Sequence, residues 1–415
     1  MHESKQPFIA PQQLSIEAYD YPLTDERIAK FPLPERDASK LLIYRNGSIE
    51  ETVFRTLSEH LPAETLLVRN NTRVVQARLF FHKESGAKIE LFCLEPHQPS
   101  DYAQMFQQTQ SCEWIGLIGN AKKWKEGVLR RTLTLNDKNY ELKAYRLATE
   151  GMTSILRFEW DAPLSFAALL ELVGELPIPP YLHRETTPSD KITYQTTYAQ
   201  IEGSVAAPTA GLHFTDRVWD DLRRKGIDWA NITLHVGAGT FRPVKSDVML
   251  DHEMHAETFY VDRATLQRLK EYGKPVVAVG TTTVRTLESL YYIGRMLLKN
   301  PEATQFHVDQ WMPYDHDPFQ PDFRETLEAM IHYLDQHQLK ALHASTQLLI
   351  APGYSFHTVS GIITNFHQPR STLLLLVAAF TGNDWKKIYD FALQHDFRFL
   401  SYGDSSLLWA HEAEK

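Results

Sequence analysis

The sequence predicts an α/β protein with a largely parallel sheet covered by helices and an inserted, small all-β, barrel-like domain. From residue 161 onwards, short apolar runs alternate with amphipathic helical segments, a pattern typical of parallel sheets. Between residues 76 and 160, short alternating runs separated by turn residues indicate strands alone. We therefore expect an α/β domain from residues 1–75 and 161–415, and a β-barrel domain from residues 76–160.

In the α/β part, we expect a helix start capped by Thr24 and short buried strands at Leu41–Tyr44 and Leu66–Val68. Residues 299–345 contain four prolines before an amphipathic helix over Phe323–His337, so we expect a peripheral insertion there. Other expected strands are Asn231–Val236, Val276–Val279, Leu348–Ala351 and Ile362–Thr364, and other expected helices are Val218–Lys225, Leu266–Tyr272, Thr286–Leu298 and Leu373–Phe380.

The all-β part contains six runs with strand-like alternation, and turn residues such as those of Glu84–Gly86 separate them. The expected strands are Arg78–His82, Lys88–Leu94, Trp114–Ile118, Leu129–Leu135, Tyr140–Tyr145 and Ser154–Phe158.

Composition narrows the class of protein. The chain has 415 residues and a formal net charge of −9, which argues against a partner held by a basic field over the whole molecule. Its cysteines, Cys93 and Cys112, have no metal or redox spacing and suit a reduced, cytoplasmic protein. The N-terminus lacks a signal pattern, and the longest apolar run, Leu373–Phe380, is too short to span a bilayer.

Two blocks without charged residues predict a substrate pocket. Gly203–Thr215 carries His213, and Thr233–Phe241 carries His235. Glycine allows close backbone approach to a ligand, and histidine titrates near neutral pH. The alternative is two buried strand–turn segments that need small residues for packing. The glycines beside the histidines are Gly211, Gly237 and Gly239.

A strand, a small-residue turn and a helix follow one another over Val276–Glu288. Amides at a helix N-terminus attract anions, and Arg285 can clamp a carboxylate or phosphate. The alternative is an ordinary turn with threonine caps. Polar groups also follow strands at Asn70–Arg73 and Thr364–Ser371, where open α/β sheets bind ligands.

The segment Asp251–Glu257 concentrates five titratable side chains. Its spacing is H-E-x-H rather than H-E-x-x-H, so we expect no metal. A solvated acidic turn and a set of acid–base or substrate contacts both remain open. No G-x-S-x-G elbow indicates a serine hydrolase.

Basic residues cluster around Trp124 in the all-β part. Such clusters form either a solvated face or a contact with the phosphate backbone of RNA. The candidate RNA-binding residues are Lys122, Lys123, Trp124 and Lys125.

Together these blocks resemble the S-adenosylmethionine:tRNA ribosyltransferase-isomerase family of queuosine biosynthesis, from about Tyr19 to Trp409. Many ordered motifs carry the resemblance, including R-D-A-S-K-L-L (Arg36–Leu42), N-N-T-R-V (Asn70–Val74), L-P-I-P-P-Y (Leu176–Tyr181), both glycine blocks, H-E-M-H-A-E (His252–Glu257), V-G-T-T-T-V-R-T-L-E-S (Val279–Ser289), T-N-F-H-Q-P-R-S-T-L-L (Thr364–Leu374) and F-R-F-L-S-Y-G-D (Phe397–Asp404).

The resemblance implies transfer and isomerisation of the ribosyl group of S-adenosylmethionine onto preQ1, a 7-deazaguanine at the tRNA wobble position. The products are epoxyqueuosine, adenine and methionine. S-adenosylmethionine is the co-substrate, no metal or other cofactor is implied, and the partner is a tRNA anticodon loop carrying preQ1. We expect a monomer. A paralogous small-molecule transferase and a non-enzymatic RNA-binding protein are the alternatives.

For this chemistry, His213 and His235 are the candidate bases by residue type and setting. The candidate substrate-binding residues are Asn71, Arg73, Gly211, Gly237, Gly239, Thr240, His255, Thr281, Thr282, Arg285, Glu288, Asn365, His367, Tyr402 and Asp404. Among them, Thr281, Thr282 and Arg285 would hold the methionine carboxylate. Glu288 or Asp404 would hold the ammonium or a ribose hydroxyl.

Overall fold

The computed structural model describes residues 10–237, 244, 246–273, 275–315 and 317–410. The strands are β1 Lys40–Arg45, β2 Ser48–Val53, β3 Leu66–Asn70, β4 Thr72–Val74, β5 Arg78–His82, β6 Lys88–Gln98, β7 Ser111–Gly119, β8 Leu129–Leu135, β9 Lys138–Glu150, β10 Thr153–Trp160, β11 Ile201–Ser204, β12 Asp228–Leu234, β13 Glu257–Asp262, β14 Val276–Val279, β15 His307–Val308, β16 Ala341–Thr346, β17 Gly361–Asn365 and β18 Ser405–Trp409. The helices are α1 Tyr102–Gln107, α2 Phe166–Val173, α3 Asp190–Thr193, α4 Asp216–Arg224, α5 Arg263–Tyr272, α6 Thr281–Lys299, α7 Phe323–Gln336, α8 Thr372–Thr381 and α9 Asp384–Gln394.

A ten-stranded sheet forms the centre of the molecule, in the order β15-β16-β13-β12-β3-β14-β17-β18-β1-β2. Its middle strands, β12, β3, β14 and β17, are parallel. Antiparallel pairs join β12 to β13, β13 to β16, β17 to β18 and β1 to β2. Parallel pairs also join β15 to β16 and β18 to β1, so five of the nine neighbouring pairs of the described strands are parallel. The sheet is therefore mixed, and the expectation of a largely parallel sheet is confirmed only in part. Pairing direction depends on how the chain returns between strands, and β12 and β13, neighbours both in sequence and in the sheet, are antiparallel.

Most of the expected α/β elements are present, with three differences. The helix expected from Thr286 begins at Thr281, directly after β14. Leu348–Ala351 is buried but is not a strand, because a short buried apolar run does not specify its own conformation. At Thr24 the chain forms a short 3-10 turn, Asp25–Arg27, without a side-chain cap.

Residues 299–345 are part of the core rather than a surface excursion. Strand β16 pairs with β13 along six residues, and β15 extends the same sheet. Helix α7 buries Leu327, Met330 and Leu334 in the large hydrophobic cluster that also contains α6. The expectation of a surface excursion is therefore corrected for β15, α7 and β16, whose strands were concealed by proline-rich connections. That the segment is peripheral to the chemistry stays a prediction.

A second sheet contains the six expected strands of the all-β part, in the antiparallel order β5-β6-β7-β10-β9-β8. We call residues 78–160, which contain these strands and their connections, the β-unit. Its own hydrophobic core includes Trp114 and Phe158 and also takes up Phe166 of α2. The end strands approach where the Arg131 guanidinium of β8 donates to the carbonyl of Phe80 in β5 (3.1 Å). Closure into a barrel stays a prediction. Among the described residues, no helix is long and apolar enough to cross a membrane.

Candidate functional site

A cavity of about 380 Å³ opens beyond the carboxyl ends of the parallel strands β14 and β17. This is the position at which open α/β sheets bind ligands. The cavity brings together four segments that the sequence singled out. The lining residues from these segments include Ala206–Ala210, Asp251–His255 with Glu257, Gly280–Thr282 with Arg285, and Thr364–Gln368.

The N-terminus of α6 forms one wall of the cavity. Gly280 takes φ +91°, a conformation suited to glycine, and its amide donates to the Ile363 carbonyl of β17 (2.8 Å). Thr281 and Thr282 start the helix and line the cavity. Amides at a helix N-terminus favour an anion, so this wall suits a carboxylate or phosphate.

A buried ion pair stands beside that helix end. Arg285 donates through Nη1 to Glu257 and through Nε to the carbonyl of Leu348 (3.1 Å). Its Nη2 is buried and has no hydrogen-bond partner within the described ranges. Because Arg285 lines the cavity, this nitrogen is an unused donor next to the helix N-terminus.

His213 lies behind the cavity wall rather than on it. Its Nδ1 is 2.7 Å from Ser39 Oγ, its Nε2 is 3.3 Å from Asn365 Nδ2, and its ring packs on Phe54. Burial lowers the pKa of His213 to about 4, so the imidazole is neutral at pH 7. Asn365 lines the main cavity, whereas His213 borders a much smaller one.

His235 also lies outside the cavity wall. Its ring stacks on Tyr102 of α1 at 4.1 Å and meets the edge of Tyr260 at 5.4 Å. A Cβ on Gly203 would lie 2.4 Å from His235 Nδ1, so the glycine makes room for the ring. Burial lowers the pKa of His235 to about 4. This geometry joins the β-unit to the large sheet and gives no support to a role as the base.

The histidines on the cavity wall come from the other two blocks: His252, His255 and His367. His367 Nε2 is 2.9 Å from the hydroxyl of Thr364. Burial lowers the pKa of His367 to about 4 and also lowers the pKa of His252, where the charge of His255 adds to the effect. No group of three or more His, Cys, Asp or Glu side chains in the described part of the chain is arranged to hold a metal ion.

Comparison with known proteins identifies the family. The sequence model of the queuosine biosynthesis protein family matches residues 16–408. The chain belongs to this family. It is 37% identical over 404 residues to the S-adenosylmethionine:tRNA ribosyltransferase-isomerase of Halothermothrix orenii, covering 95% of this chain and 100% of that protein. The corresponding protein of Magnetococcus marinus is 36% identical, covering 96% and 94%.

A solved structure, that of S-adenosylmethionine tRNA ribosyltransferase from Thermotoga maritima, is 29% identical in sequence. The match covers 94% of this chain and 99% of that one, with a TM-score of 0.45.

Several residues of this queuosine-family chain that were expected to bind substrate are instead structural. The carboxylate of Glu288 is fully buried and accepts hydrogen bonds from Tyr354, the His357 amide and Thr358, so it organises the loop after β16. Asp404 accepts hydrogen bonds from the Lys40 amide and from Arg398. These contacts connect β1 to the C-terminal segment. Both carboxylates accept hydrogen bonds within the protein and neither lines the cavity, so this geometry gives no support to a ligand contact for either.

Other expected residues lie away from the cavity wall. The Tyr402 hydroxyl donates to Asp190, and Asn71 accepts from the Thr233 hydroxyl. Gly211 is needed for packing, because a Cβ there would lie 2.0 Å from the Tyr198 hydroxyl oxygen. Arg73 is exposed on β4, the Gly237 amide donates to Glu257, and Gly239 and Thr240 lie outside the described residues.

The basic cluster of the β-unit is only partly as expected. Trp124 is 1% exposed and donates through Nε1 to the Gly127 carbonyl, so it cannot stack on a nucleotide base. The large ring of Trp124 is part of the hydrophobic core of the small β-unit. The charged residues around it in sequence concealed this burial. The lysines on either side, Lys122, Lys123 and Lys125, are exposed.

Some residues that line the cavity were not among the site residues predicted from the sequence. They include Tyr181, Tyr194, Thr209, Ile350, Gln368, Ser371 and Met152. Thr209 belongs to the first charge-free block, and Gln368 and Ser371 belong to the polar segment after β17, so extending these blocks would have found them. Met152 lies on the β9–β10 turn, and only the fold brings it to the cavity.

Proposed function

We propose that this chain transfers and isomerises the ribosyl group of S-adenosylmethionine onto preQ1 at the wobble position of tRNA, giving epoxyqueuosine and releasing adenine and methionine. The observation that carries the proposal is the near full-length similarity to relatives named S-adenosylmethionine:tRNA ribosyltransferase-isomerase. The meeting of four sequence blocks at one cavity supports it. S-adenosylmethionine is the co-substrate, and no metal is required.

The methionine carboxylate of S-adenosylmethionine occupies the N-terminus of α6. Thr281 and Thr282 supply the helix amides and hydroxyls, and Arg285 Nη2 supplies a charge-assisted donor. Filling that donor removes the penalty of a buried, unpaired N–H group, so the carboxylate has both an electrostatic and a hydrogen-bonding reason to bind there.

The base is His367 rather than His213 or His235. The sulfonium acidifies the adjacent carbon, so a neutral imidazole is enough to take the proton. The proposed tautomer carries its proton on Nε2, which donates to the Thr364 hydroxyl 2.9 Å away, and keeps the lone pair on Nδ1. His367 is on the cavity wall, as a base must be to reach the substrate.

The anticodon loop binds across the β-unit and the cavity mouth. Met152, at the turn between β9 and β10, is 67% exposed and lines the cavity. Local positive charge for the phosphate backbone comes from Lys122, Lys123 and Lys125, although the net charge of the whole chain is negative. The barrel-like closure of the β-unit, through Arg131 and Phe80, would make this platform rigid.

Adenine release from S-adenosylmethionine tests the proposal directly. We expect release with preQ1-tRNA, and none with the same tRNA carrying guanine at the wobble position. Release with free preQ1 alone would identify a small-molecule transferase. Tight tRNA binding without any adenine release would identify an RNA-binding protein instead. Either result contradicts the proposed function.

A further inference from the structure

Asn365 combines burial, a place on the cavity wall and an unsatisfied oxygen. It ends β17, is 3% exposed and lines the main cavity. Its amide nitrogen donates to the Leu400 carbonyl (3.0 Å) and lies 3.3 Å from His213 Nε2. Its Oδ1 is buried, and no described residue donates to it. Such an oxygen is unfavourable unless a water molecule or a ligand supplies the donor.

The neighbours of Asn365 fix which way its amide points. The Leu400 carbonyl can only accept, so the nitrogen of Asn365 must face it. A flipped amide would set two acceptors against each other. The oxygen is therefore held on the opposite side, away from Leu400 and His213.

The same constraint fixes the tautomer of His213. Because Asn365 donates to Nε2, the imidazole proton is on Nδ1 and is directed at Ser39 Oγ, 2.7 Å away. Both ring nitrogens are then used within the protein. His213 is left with no lone pair for a substrate, but it holds Asn365 in one orientation.

We propose that Asn365 Oδ1 accepts a hydrogen bond from an amino or amide N–H of a purine-like base bound in the cavity, and that Ser39 and His213 position it. This inference rests on the proposed function, which brings two such bases to the site. The donor belongs either to the adenine of S-adenosylmethionine or to the deazaguanine of the tRNA. A buried acceptor of this kind discriminates strongly against a base that lacks the donor.

The test compares Asn365→Leu, His213→Leu and His213→Gln with wild type, in adenine release and in separate binding of S-adenosylmethionine and preQ1-tRNA. Asn365→Leu removes the acceptor, and we expect roughly 10- to 100-fold weaker binding of one substrate. His213→Leu should weaken binding of the same substrate. His213→Gln offers an amide oxygen near the position of Nε2. It should restore binding of that substrate, although glutamine cannot act as a base.

The double variant Asn365→Leu/His213→Leu should bind no more weakly than Asn365→Leu, because His213 acts through Asn365. His235→Gln, a buried histidine away from the cavity, is the matched control and should leave binding unchanged. Asn365→Ser replaces Asn365→Leu if the latter does not fold, as judged by thermal unfolding.

The two binding measurements identify the donor. Weaker S-adenosylmethionine binding with unchanged tRNA binding places the donor on adenine, and the reverse result places it on the deazaguanine. Unchanged binding of both substrates by the Asn365 variants overturns the inference. The inference is also overturned if His213→Gln and His213→Leu lose the same amount of activity while both variants still bind both substrates normally. Absence of adenine release by the wild type contradicts the proposed function instead, whatever the binding results.

Discussion

The ion pair between Arg285 and Glu257 leaves one guanidinium nitrogen for an anion, and this gives a prediction for a single residue. Arg285→Lys keeps the charge but loses the planar pair of donors. We expect KM for S-adenosylmethionine to rise roughly 10- to 100-fold, with a smaller effect on kcat. Arg295→Lys, a buried arginine of the same helix that does not line the cavity, is the control. Equal effects of both substitutions would contradict the carboxylate assignment.

His367 is the residue whose loss should affect the chemical step. We expect His367→Ala to lower kcat by roughly 10²- to 10⁴-fold, the usual contribution of a positioned base. Binding of S-adenosylmethionine should change much less, because the lost interaction acts in the transition state. Single-turnover adenine release and calorimetric binding measure the two quantities. A variant that keeps near-normal turnover would exclude His367 and return attention to His252, His255 and Glu257.

At the scale of elements, the sequence predicted β14, β17 and the six strands of the β-unit because each has a clear apolar pattern. It did not predict the antiparallel pairs of the large sheet, since pairing direction depends on how the chain returns between strands. The cavity blocks were identifiable from glycine, histidine and threonine clusters. The roles of individual residues could not be predicted from the sequence. Glu288 and His213, for example, are polar residues whose hydrogen-bond partners lie far away in sequence.

The turn between β9 and β10 carries a prediction for an element. Gly151 takes φ +59° in this tight turn and presents Met152 at the cavity. Met152→Ala should raise KM for preQ1-tRNA roughly 3- to 10-fold and leave S-adenosylmethionine binding unchanged. Leu147→Ala is the matched control, because Leu147 is 50% exposed on β9 but does not line the cavity. An effect on S-adenosylmethionine alone would show that the turn does not contact the RNA.

The exposed lysines of the loop between β7 and β8 should act on affinity alone. Replacing Lys122, Lys123 and Lys125 by glutamine should weaken tRNA binding and lower the slope of log K against log salt by about one for each lost phosphate contact. The rate at saturating tRNA should stay the same. Replacing Lys386 and Lys387, exposed on α9, serves as the control. An unchanged salt slope would mean that the three lysines are only a solvated surface.

For the whole molecule, the buried neutral histidines link folding to pH. His213 and His235 have pKa values lowered by burial to about 4, against about 6.5 in the unfolded chain. The unfolded state therefore binds more protons between these values, so this stability is fully present above pH 6.5 and is lost as the pH falls towards 4. The loss amounts to roughly 3 kcal/mol for each histidine.

Urea unfolding at several pH values between 7.5 and 4.5 measures this effect. Asp190 contributes in a lower window, since burial is outweighed by the hydrogen bonds from Arg184 and Thr187, which lower its pKa to about 2. Burial raises the pKa values of Glu95 and Glu288, so these two side chains oppose the histidines. The histidines should therefore dominate the loss of stability from pH 6.5 to 4.5. His235→Gln, which cannot take up a proton, should unfold with a visibly shallower dependence on pH in this window. The same slope in the variant and in the wild type would show that His235 is solvated enough to keep its ordinary pKa.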